Sequence, residues 1–337
     1  MTKRSKVLAW TRPLERSFKA LTRGAVKSGT QVLGQALKPL RQPRQRPLPP
    51  GAGAWVPGVA LGAAGARRFR LYCPPGVLPH ERLPLLVMLH GCGQDAVSFA
   101  ASTRMNRIAL RERFFVLYPE QDRLANVQGC WNWFDTANGR ALGEAGLVMK
   151  AIDQVCLLYP VDRSRVAVAG LSAGASMAAL LVTRHPERFR AVVMHSGIPP
   201  GTAHSGFSAL GAMQGHRATV PLAVPPAALA GRWPPLLVIH GDDDRVVSPQ
   251  NGHAAVRVWA DAAGAQAAAP RRVQRGRRHP MQVTDFKRKG RTVATLVQVG
   301  QLAHAWSGGA AKAPFSDPQG PDASRMAWAF AARQFRA

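Results

Sequence analysis

Ser172 stands in the pentapeptide Gly170-Leu171-Ser172-Ala173-Gly174, between a predicted strand and a predicted helix. Residues 165–169 are dominated by valine and alanine, whereas residues 173–185 are rich in alanine and leucine and contain no proline. A serine on such a turn is held in a strained conformation that exposes its hydroxyl, and the helix N-terminus favours developing negative charge. The pentapeptide alone also fits a simple tight turn. In this strand–turn–helix context it predicts that Ser172 is a nucleophile.

A nucleophilic serine needs a base, and the base needs an acid that orients it. Three aspartates, Asp242, Asp243 and Asp244, follow residues 236–239, an apolar run typical of a buried strand. Ligands gather at the carboxyl edge of open parallel sheets, where this turn would lie. Three adjacent carboxylates would repel one another if all were buried, so we expect one to turn inward. We predict that it is Asp244, with Asp242 the second choice and a solvated acidic turn the alternative.

The base should follow a late strand. Residues 292–299 show a strand pattern, and His304 comes shortly after them among small residues that leave room for its ring. Of the other histidines downstream of the serine, three are expected near this sheet edge: His240, His253 and His279. His240 ends the strand before the aspartates, His253 lies in a predicted helix and His279 in an arginine-rich loop. The pattern therefore favours His304 as the base, with a structural histidine as the alternative.

Acyl transfer also needs backbone N–H donors for the oxyanion. The strand predicted near residues 85–90 runs into the glycine-rich bend His90-Gly91-Cys92-Gly93-Gln94. In a serine-dependent site, one donor follows the nucleophile directly and the other comes from an early strand-to-helix loop. We therefore predict the N–H groups of Cys92 and Ala173 as the oxyanion hole.

Strand and helix patterns alternate along the chain after residue 50. Strands are predicted near 68–73, 85–90, 114–118, 165–169, 190–194, 236–240, 281–286 and 292–299. Helices are predicted near 99–111, 144–158, 173–185, 250–262 and 323–334, with a short one within 206–215 and Asp322 as the N-cap of the last. This alternation predicts an α/β fold, a mostly parallel sheet covered by helices on both faces. We expect residues 51–337 to form one catalytic domain.

Eight motifs together give the chain a specific resemblance. They are His90-Gly91-Cys92, Met105-Asn106, Tyr118-Pro119-Glu120-Gln121, Cys130-Trp131-Asn132-Trp133-Phe134, Gly170-Leu171-Ser172-Ala173-Gly174, His195-Ser196-Gly197, His240-Gly241-Asp242-x-Asp244-x-x-Val247 and His304-Ala305-Trp306-x-Gly308-Gly309. Over residues 67–335 the chain resembles the polyhydroxybutyrate depolymerase family of esterases, α/β-hydrolases that also include feruloyl and acetylxylan esterases. The resemblance implies a Ser172, Asp244 and His304 triad with Cys92 and Ala173 as the oxyanion hole. Ser307 departs from the family, where proline is frequent, and we expect the change to alter only the rim of the site.

The resemblance also bears on the cysteines and tryptophans. It implies that Cys92 pairs with Cys130 and pins the oxyanion loop, whereas four cysteines in 337 residues fit reduced thiols equally well. The tryptophans Trp131, Trp133 and Trp306 would line the site with apolar surface for an acyl chain. The alternative is that two of the three belong to the core. No C-x-x-C or H-E-x-x-H pattern occurs, so we expect neither a metal nor a cofactor.

Residues 1–50 differ from the rest in composition. They hold twelve Lys or Arg residues and one acid, Glu15, within a chain of formal net charge +27. Trp10, Leu14, Phe18 and Leu21 would share one face of a helix, and a proline- and arginine-rich linker follows. Such a segment can bind an anionic membrane, a hydrophobic granule or a partner, or be a solvated tail. A second basic cluster, spread over residues 271–291, is typical of a solvated hairpin rim.

These observations predict a serine esterase that acts through an acyl-enzyme on polyhydroxybutyrate or short-chain hydroxyalkanoate esters. The alternative within the family is a feruloyl or acetylxylan type of carbohydrate esterase. The alternative from another class is a non-catalytic granule- or nucleic-acid-binding protein on a hydrolase scaffold, although we consider nucleic acid an unfavoured partner. No secretory signal is recognised, which favours a cytoplasmic or granule-associated location over an extracellular one.

Overall fold

A single mixed β-sheet organises the part of the chain that the computed structural model describes, residues 52–216 and 233–336. Its eleven strands are β1 (Ala54–Gly62), β2 (Gly65–Cys73), β3 (Leu83–Leu89), β4 (Phe115–Pro119), β5 (Val161–Leu171), β6 (Ala191–His195), β7 (Leu236–Gly241), β8 (Gln266–Ala267), β9 (Arg271–Val273), β10 (Met281–Arg288) and β11 (Arg291–Val299). Their order is β1-β2-β4-β3-β5-β6-β7-β11-β10-β8, with β9 paired to β10. The strands from β4 to β11 in this order run parallel, whereas the outer ones are antiparallel.

Helices cover both faces of this sheet. They are α1 (Ala96–Thr103), α2 (Met105–Glu112), α3 (Arg140–Leu158), α4 (Ala173–Arg184), α5 (Gly206–Met213), α6 (Gln250–Ala263) and α7 (Ala323–Gln334), with a 3₁₀ turn at Pro186–Arg188. One core contains residues of α3, α4 and α6, and the other contains residues of α1, α2 and α7. Successive residues of β3 alternate between the two cores, which is why its apolar run is unbroken. The predicted fold class is confirmed.

The predicted elements are present, with differences at their boundaries. The helix predicted near 99–111 is two helices, because Arg104 adopts a left-handed conformation (φ 55°) between them. The hydroxyls of Ser102 and Thr103 bond back to the carbonyl of Phe99, which competes with continuation of the helix. Strand β1 was not predicted, because Pro57 and Gly58 obscure its pattern at the sheet edge.

Several smaller expectations concern the ends and the loops. Asp322 is the N-cap of α7, since its side chain accepts from the N–H of Arg325 at 3.0 Å, as predicted. A short two-stranded sheet, β12 (Trp306–Ser307) with β13 (Ser316–Asp317), follows β11. The predictions on residues 1–50 lie outside the described residues. None of the helices within the described ranges is long and apolar enough to cross a membrane.

The turn from β5 into α4 depends on two glycines. A Cβ at Gly170 would lie 2.3 Å from the carbonyl carbon of Gly174, and one at Gly174 would lie 2.2 Å from the oxygen of Leu89. No heavier residue fits at either position without moving backbone. Helix α4 can therefore start directly against β3 and β5, which places the residue between the two glycines at the carboxyl edge of the sheet.

We predict that Gly174→Ala destabilises the protein by about 3 kcal/mol or more, because its methyl group would displace the backbone of β3. The matched control is Gly146→Ala in α3, where a Cβ would meet nothing within 4 Å. Removing a helical glycine there should be neutral or stabilise the protein by up to about 1 kcal/mol. Denaturant unfolding of both variants measures the difference. Equal stabilities would contradict the close contact.

Candidate active site

Ser172 has the strained backbone that the turn requires. Its φ of 56° and ψ of −123° lie where residues other than glycine are rare. Its N–H donates to the carbonyl of His195 at 2.9 Å, and its own carbonyl accepts from Ser176 at 3.1 Å. The residue precedes the first turn of α4, whose N–H groups favour a developing negative charge nearby. Ser172 is partly exposed at the edge where β5 ends.

Asp244 is the aspartate of the acidic turn that faces inward. Its side chain is fully buried, whereas Asp242 and Asp243 are exposed. One carboxylate oxygen of Asp244 accepts from the N–H groups of Val246 and Val247 at 3.0 and 2.9 Å. The structure therefore separates the three carboxylates as the repulsion between them requires.

The other carboxylate oxygen of Asp244 accepts from Nδ1 of His304 at 2.8 Å. Burial favours the neutral acid, but the charge of His304 and hydrogen bonds from His240 and His304 outweigh it and hold the pKa of Asp244 well below its usual value. With the proton of His304 on Nδ1, the lone pair of Nε2 is left to accept a proton. An ionised acid beside an oriented histidine is the pair that a serine nucleophile needs.

Backbone contacts hold the acidic turn against the loop that carries His304. The N–H of Asp242 donates to Val299 at 3.0 Å, and that of Asp243 donates to Leu302 at 3.2 Å. The side chain of Asp242 accepts from the N–H of Gln301 at 2.7 Å. Asp242 thus helps to shape the loop that carries His304.

His240 is a second histidine beside Asp244. Its position at the end of a predicted strand gave no reason to expect it in the site. Its Nε2 donates to the carbonyl of Val247 at 2.9 Å and lies 3.4 Å from the carboxylate of Asp244. Because His240 is the next-to-last residue of β7, four residues before Asp244, the turn brings the two side chains back together. Its place in the motif that contains Asp244 was the available signal.

The glycine-rich bend after β3 lies against Ser172. A Cβ at Gly91 would lie 3.6 Å from the Cβ of Ser172. The bend is held by the side chain of Gln94, which accepts from the N–H of Gly91 at 3.1 Å, and by Gln128, which accepts from Gly93 at 2.9 Å. Cys92 is therefore in the loop, and Ala173 in the helix turn, that flank Ser172.

Cys92 and Cys130 are joined by a disulfide in the structure, with their Cα atoms 4.3 Å apart. The disulfide ties the bend after β3 to the segment that contains Trp131. Of the other two cysteines, Cys73 is half-buried, Cys156 is buried, and both are free.

A buried polar network fixes the segment of Cys130. This network was not predicted from the sequence. Gln121 donates to the carbonyl of Cys130 at 2.9 Å and to the carboxylate of Glu144 at 2.7 Å. Glu144 also accepts from the backbone and side-chain N–H groups of Asn132 at 2.9 and 2.7 Å. Gln121 and Asn132 stand in two of the eight motifs, which was the signal for them.

The tryptophans lie differently from the expectation. Trp131 and Trp306 are both 0% exposed, and their indole N–H groups donate to the carbonyl of His90 and the hydroxyl of Ser324 at 3.0 and 3.1 Å. Neither offers surface to a substrate, so both support the site from within the core. Trp133 is 8% exposed, and its contact with substrate stays a prediction.

Ser307 also differs from the expectation, because it is not at a rim. It is completely buried, and its hydroxyl donates to the carbonyl of Pro321 at 2.6 Å.

Within residues 52–216 and 233–336, no group of three or more His, Cys, Asp or Glu residues could hold a metal ion.

The strand order and the tight turn that carries Ser172 between β5 and α4 define the α/β-hydrolase fold. Acetyl xylan esterase from Aspergillus awamori has the same fold, with a TM-score of 0.59 at 21% identity over 75% of this chain and 94% of that chain.

The sequence profile of the family described as Esterase PHB depolymerase matches residues 67–279, which is more than half of the chain. The chain belongs to this family. The match includes Ser172 and Asp244 and ends before His304, whose assignment rests on its contact with Asp244.

Individual relatives cover part of the chain. Poly(3-hydroxyalkanoate) depolymerase C of Paucimonas lemoignei is 33% identical over 175 residues, which are 50% of this chain and 42% of that protein. Feruloyl esterase B of Neurospora crassa is 28% identical over 199 residues, 54% of this chain and 66% of that protein. The chain therefore spans less than half of the depolymerase and about two thirds of the feruloyl esterase.

We predict that Asp244→Asn lowers kcat for a soluble ester by about 10⁴-fold, because the amide cannot stabilise the imidazolium or hold its tautomer. The matched control is Asp242→Asn, which keeps an oxygen to accept from Gln301 and should lose far less. Steady-state kinetics of the two variants measures the contrast. A larger loss in Asp242→Asn would reverse the assignment within the turn.

We predict that Cys130→Ser lowers kcat by about 10-fold or more, because without the disulfide the bend no longer holds the Cys92 N–H in place. The loss should be smaller than the roughly 10²–10³-fold loss that follows complete removal of an oxyanion donor. Cys73→Ser removes a free cysteine and is the matched control. Mass spectrometry of unreduced peptides identifies the linked pair. Fully active protein with four free thiols would reject the role of the disulfide.

Proposed function

We propose that the chain is a serine esterase that hydrolyses carboxylic esters through an acyl-enzyme. The observation that carries the proposal is the 2.8 Å hydrogen bond between His304 and the buried Asp244, at the sheet edge where the strained Ser172 is partly exposed. Membership of an esterase family supports it. Because the chain spans only part of its relatives, the activity is proposed from the site and not taken from them.

In this mechanism, Nε2 of His304 takes the Ser172 proton as the hydroxyl oxygen attacks the ester carbonyl. Asp244 stabilises the imidazolium, and the N–H groups of Cys92 and Ala173 bind the oxyanion of the tetrahedral intermediate. The intermediate collapses to the acyl-enzyme as the imidazolium gives its proton to the leaving alcohol. Water then attacks the acyl-enzyme with His304 again as base, which releases the acid and restores Ser172.

For the substrate we propose polyhydroxybutyrate or short-chain hydroxyalkanoate esters. The support is the family description and the 33% identity to a poly(3-hydroxyalkanoate) depolymerase. The likeness to feruloyl and acetylxylan esterases favours carbohydrate esters as the second candidate. A panel of hydroxybutyrate oligomers, granules, feruloylated sugar and acetylated xylan separates the two. Higher kcat/KM on the carbohydrate esters would favour the second candidate.

We predict that Ser172→Ala lowers kcat for p-nitrophenyl butyrate by about 10⁶-fold without changing the melting temperature, because triad members act as one unit. A fluorophosphonate should label wild-type protein at Ser172 and leave Ser172→Ala unlabelled. Residual activity near wild type in cleanly purified Ser172→Ala would refute the mechanism. Wild-type protein without hydrolytic activity would instead favour a non-catalytic binding protein.

A further inference from the structure

His195 contacts both the segment that carries the nucleophile and the segment that follows the base. It is the last residue of β6 and pairs with Leu171, the last residue of β5. Its carbonyl accepts the N–H of Ser172 at 2.9 Å. The backbone of His195 therefore fixes the backbone of Ser172 against the neighbouring strand.

The ring of His195 reaches the other segment. Its Nε2 accepts from the N–H of Ser307 at 3.1 Å, and the ring stacks on Trp306 with centroids 5.0 Å apart and planes at 26°. Ser307 and Trp306 come three and two residues after His304. One residue thus links the chain at the nucleophile to the chain just beyond the base.

The ring can act as an acceptor only while it is neutral. Since Nε2 accepts a backbone N–H, the ring proton is on Nδ1, which lies 3.2 Å from the hydroxyl oxygen of Ser196. The side chain is completely buried, and burial lowers the pKa of His195 to about 3, with His240 and His304 acting in the same direction and Asp244 opposing. The ring of His195 therefore remains a hydrogen-bond acceptor at neutral pH.

Other hydrogen bonds of Trp306 and Ser307 lead to different parts of the chain. The N–H of Trp306 donates to Phe315 at 2.8 Å, its indole donates to Ser324, and the hydroxyl of Ser307 donates to Pro321. These partners lie outside the central sheet. The contacts of the His195 ring connect the same segment to the strand beside Ser172.

We propose that His195 is a positioning residue that sets the place of His304 relative to Ser172. This inference rests on the proposed function. His195 exchanges no proton with substrate. It acts through the hydrogen bond to Ser307 and the stacking on Trp306, which fix the loop that carries the base.

The first test compares two substitutions of His195 with p-nitrophenyl butyrate as substrate. His195→Phe keeps a ring for Trp306 but removes the acceptor, and kcat should fall by about 10–100-fold with KM nearly unchanged, as expected when a catalytic group moves by about 1 Å. His195→Gln offers an amide oxygen to the N–H of Ser307 and should recover most of the loss. Rates are expressed per site titrated by a fluorophosphonate, so that misfolded protein does not count.

The second test approaches the same bond from Ser307. Ser307→Pro removes the N–H and should reproduce the loss in kcat, whereas Ser307→Ala keeps the N–H and should lose much less. If both substitutions act through one bond, the double variant His195→Phe with Ser307→Pro should be no slower than the slower single variant.

Two results would overturn the inference: wild-type kcat per titrated site in His195→Phe, or losses that multiply fully in the double variant. A fall only in the number of titratable sites or in melting temperature would show a structural role and also reject it. Failure of the proposed function is recognised separately, because wild-type hydrolysis would then not depend on Ser172.

Discussion

The close approach of α4 to β3 and β5 is the contact on which the site depends. The helix starts where a Cβ on Gly170 or Gly174 would lie within 2.3 Å of backbone atoms. That approach forces Ser172 into its strained conformation and sets the bend after β3 beside it. The absence of two side chains therefore lets Ser172 and the proposed oxyanion donors be neighbours, and hydrogen bonds to Gln94 and His195 then hold them in place.

The second constraint is the burial of an ionised carboxylate. Removing a charge from water costs several kcal/mol unless hydrogen bonds replace the lost hydration. Asp244 receives the N–H groups of Val246 and Val247 on one oxygen and the rings of His304 and His240 beside the other. The same donors that make its burial tolerable also fix its direction. His304 is thus oriented as a consequence of how the buried charge is stabilised.

Local patterns in the sequence were sufficient for the fold and for the residues at strand ends. Apolar runs buried on both faces predict the parallel strands, and a parallel sheet gathers their carboxyl ends at one edge, so Ser172 and Asp244 could be placed without knowledge of distant contacts. Repulsion among three adjacent charges predicts that one aspartate turns inward, and the structure shows that the buried one is Asp244.

Features that depend on contacts between distant segments could not be predicted in this way. Trp131 and Trp306 are large apolar residues of the kind that can line a substrate pocket. In the structure, each indole instead points into the core and donates a hydrogen bond to a residue in another segment. The network of Gln121, Asn132 and Glu144 joins three segments and has no local period. Edge strand β1 has no clear local pattern because Pro57 and Gly58 interrupt it, and the ring of Phe69 covers Gly58 only when β1 pairs with β2.

Two buried histidines at the ends of parallel strands have rings that stay neutral at neutral pH. His90 follows β3 and accepts the N–H of Gln121 on Nε2 at 3.0 Å, and His195 ends β6 and accepts that of Ser307 at 3.1 Å. Burial lowers their pKa values to about 4 and about 3, so both remain neutral acceptors where His304 must be free to take up a proton. His90 contacts the bend of the proposed oxyanion donor through Gly91, and His195 contacts the segment after His304 through Ser307.

A histidine is suited to both positions because its planar ring packs against tryptophan while one nitrogen accepts a backbone N–H. Leucine or phenylalanine would fill the same space but leave that buried N–H without a partner, which is the more costly outcome in a site where small displacements decide the rate.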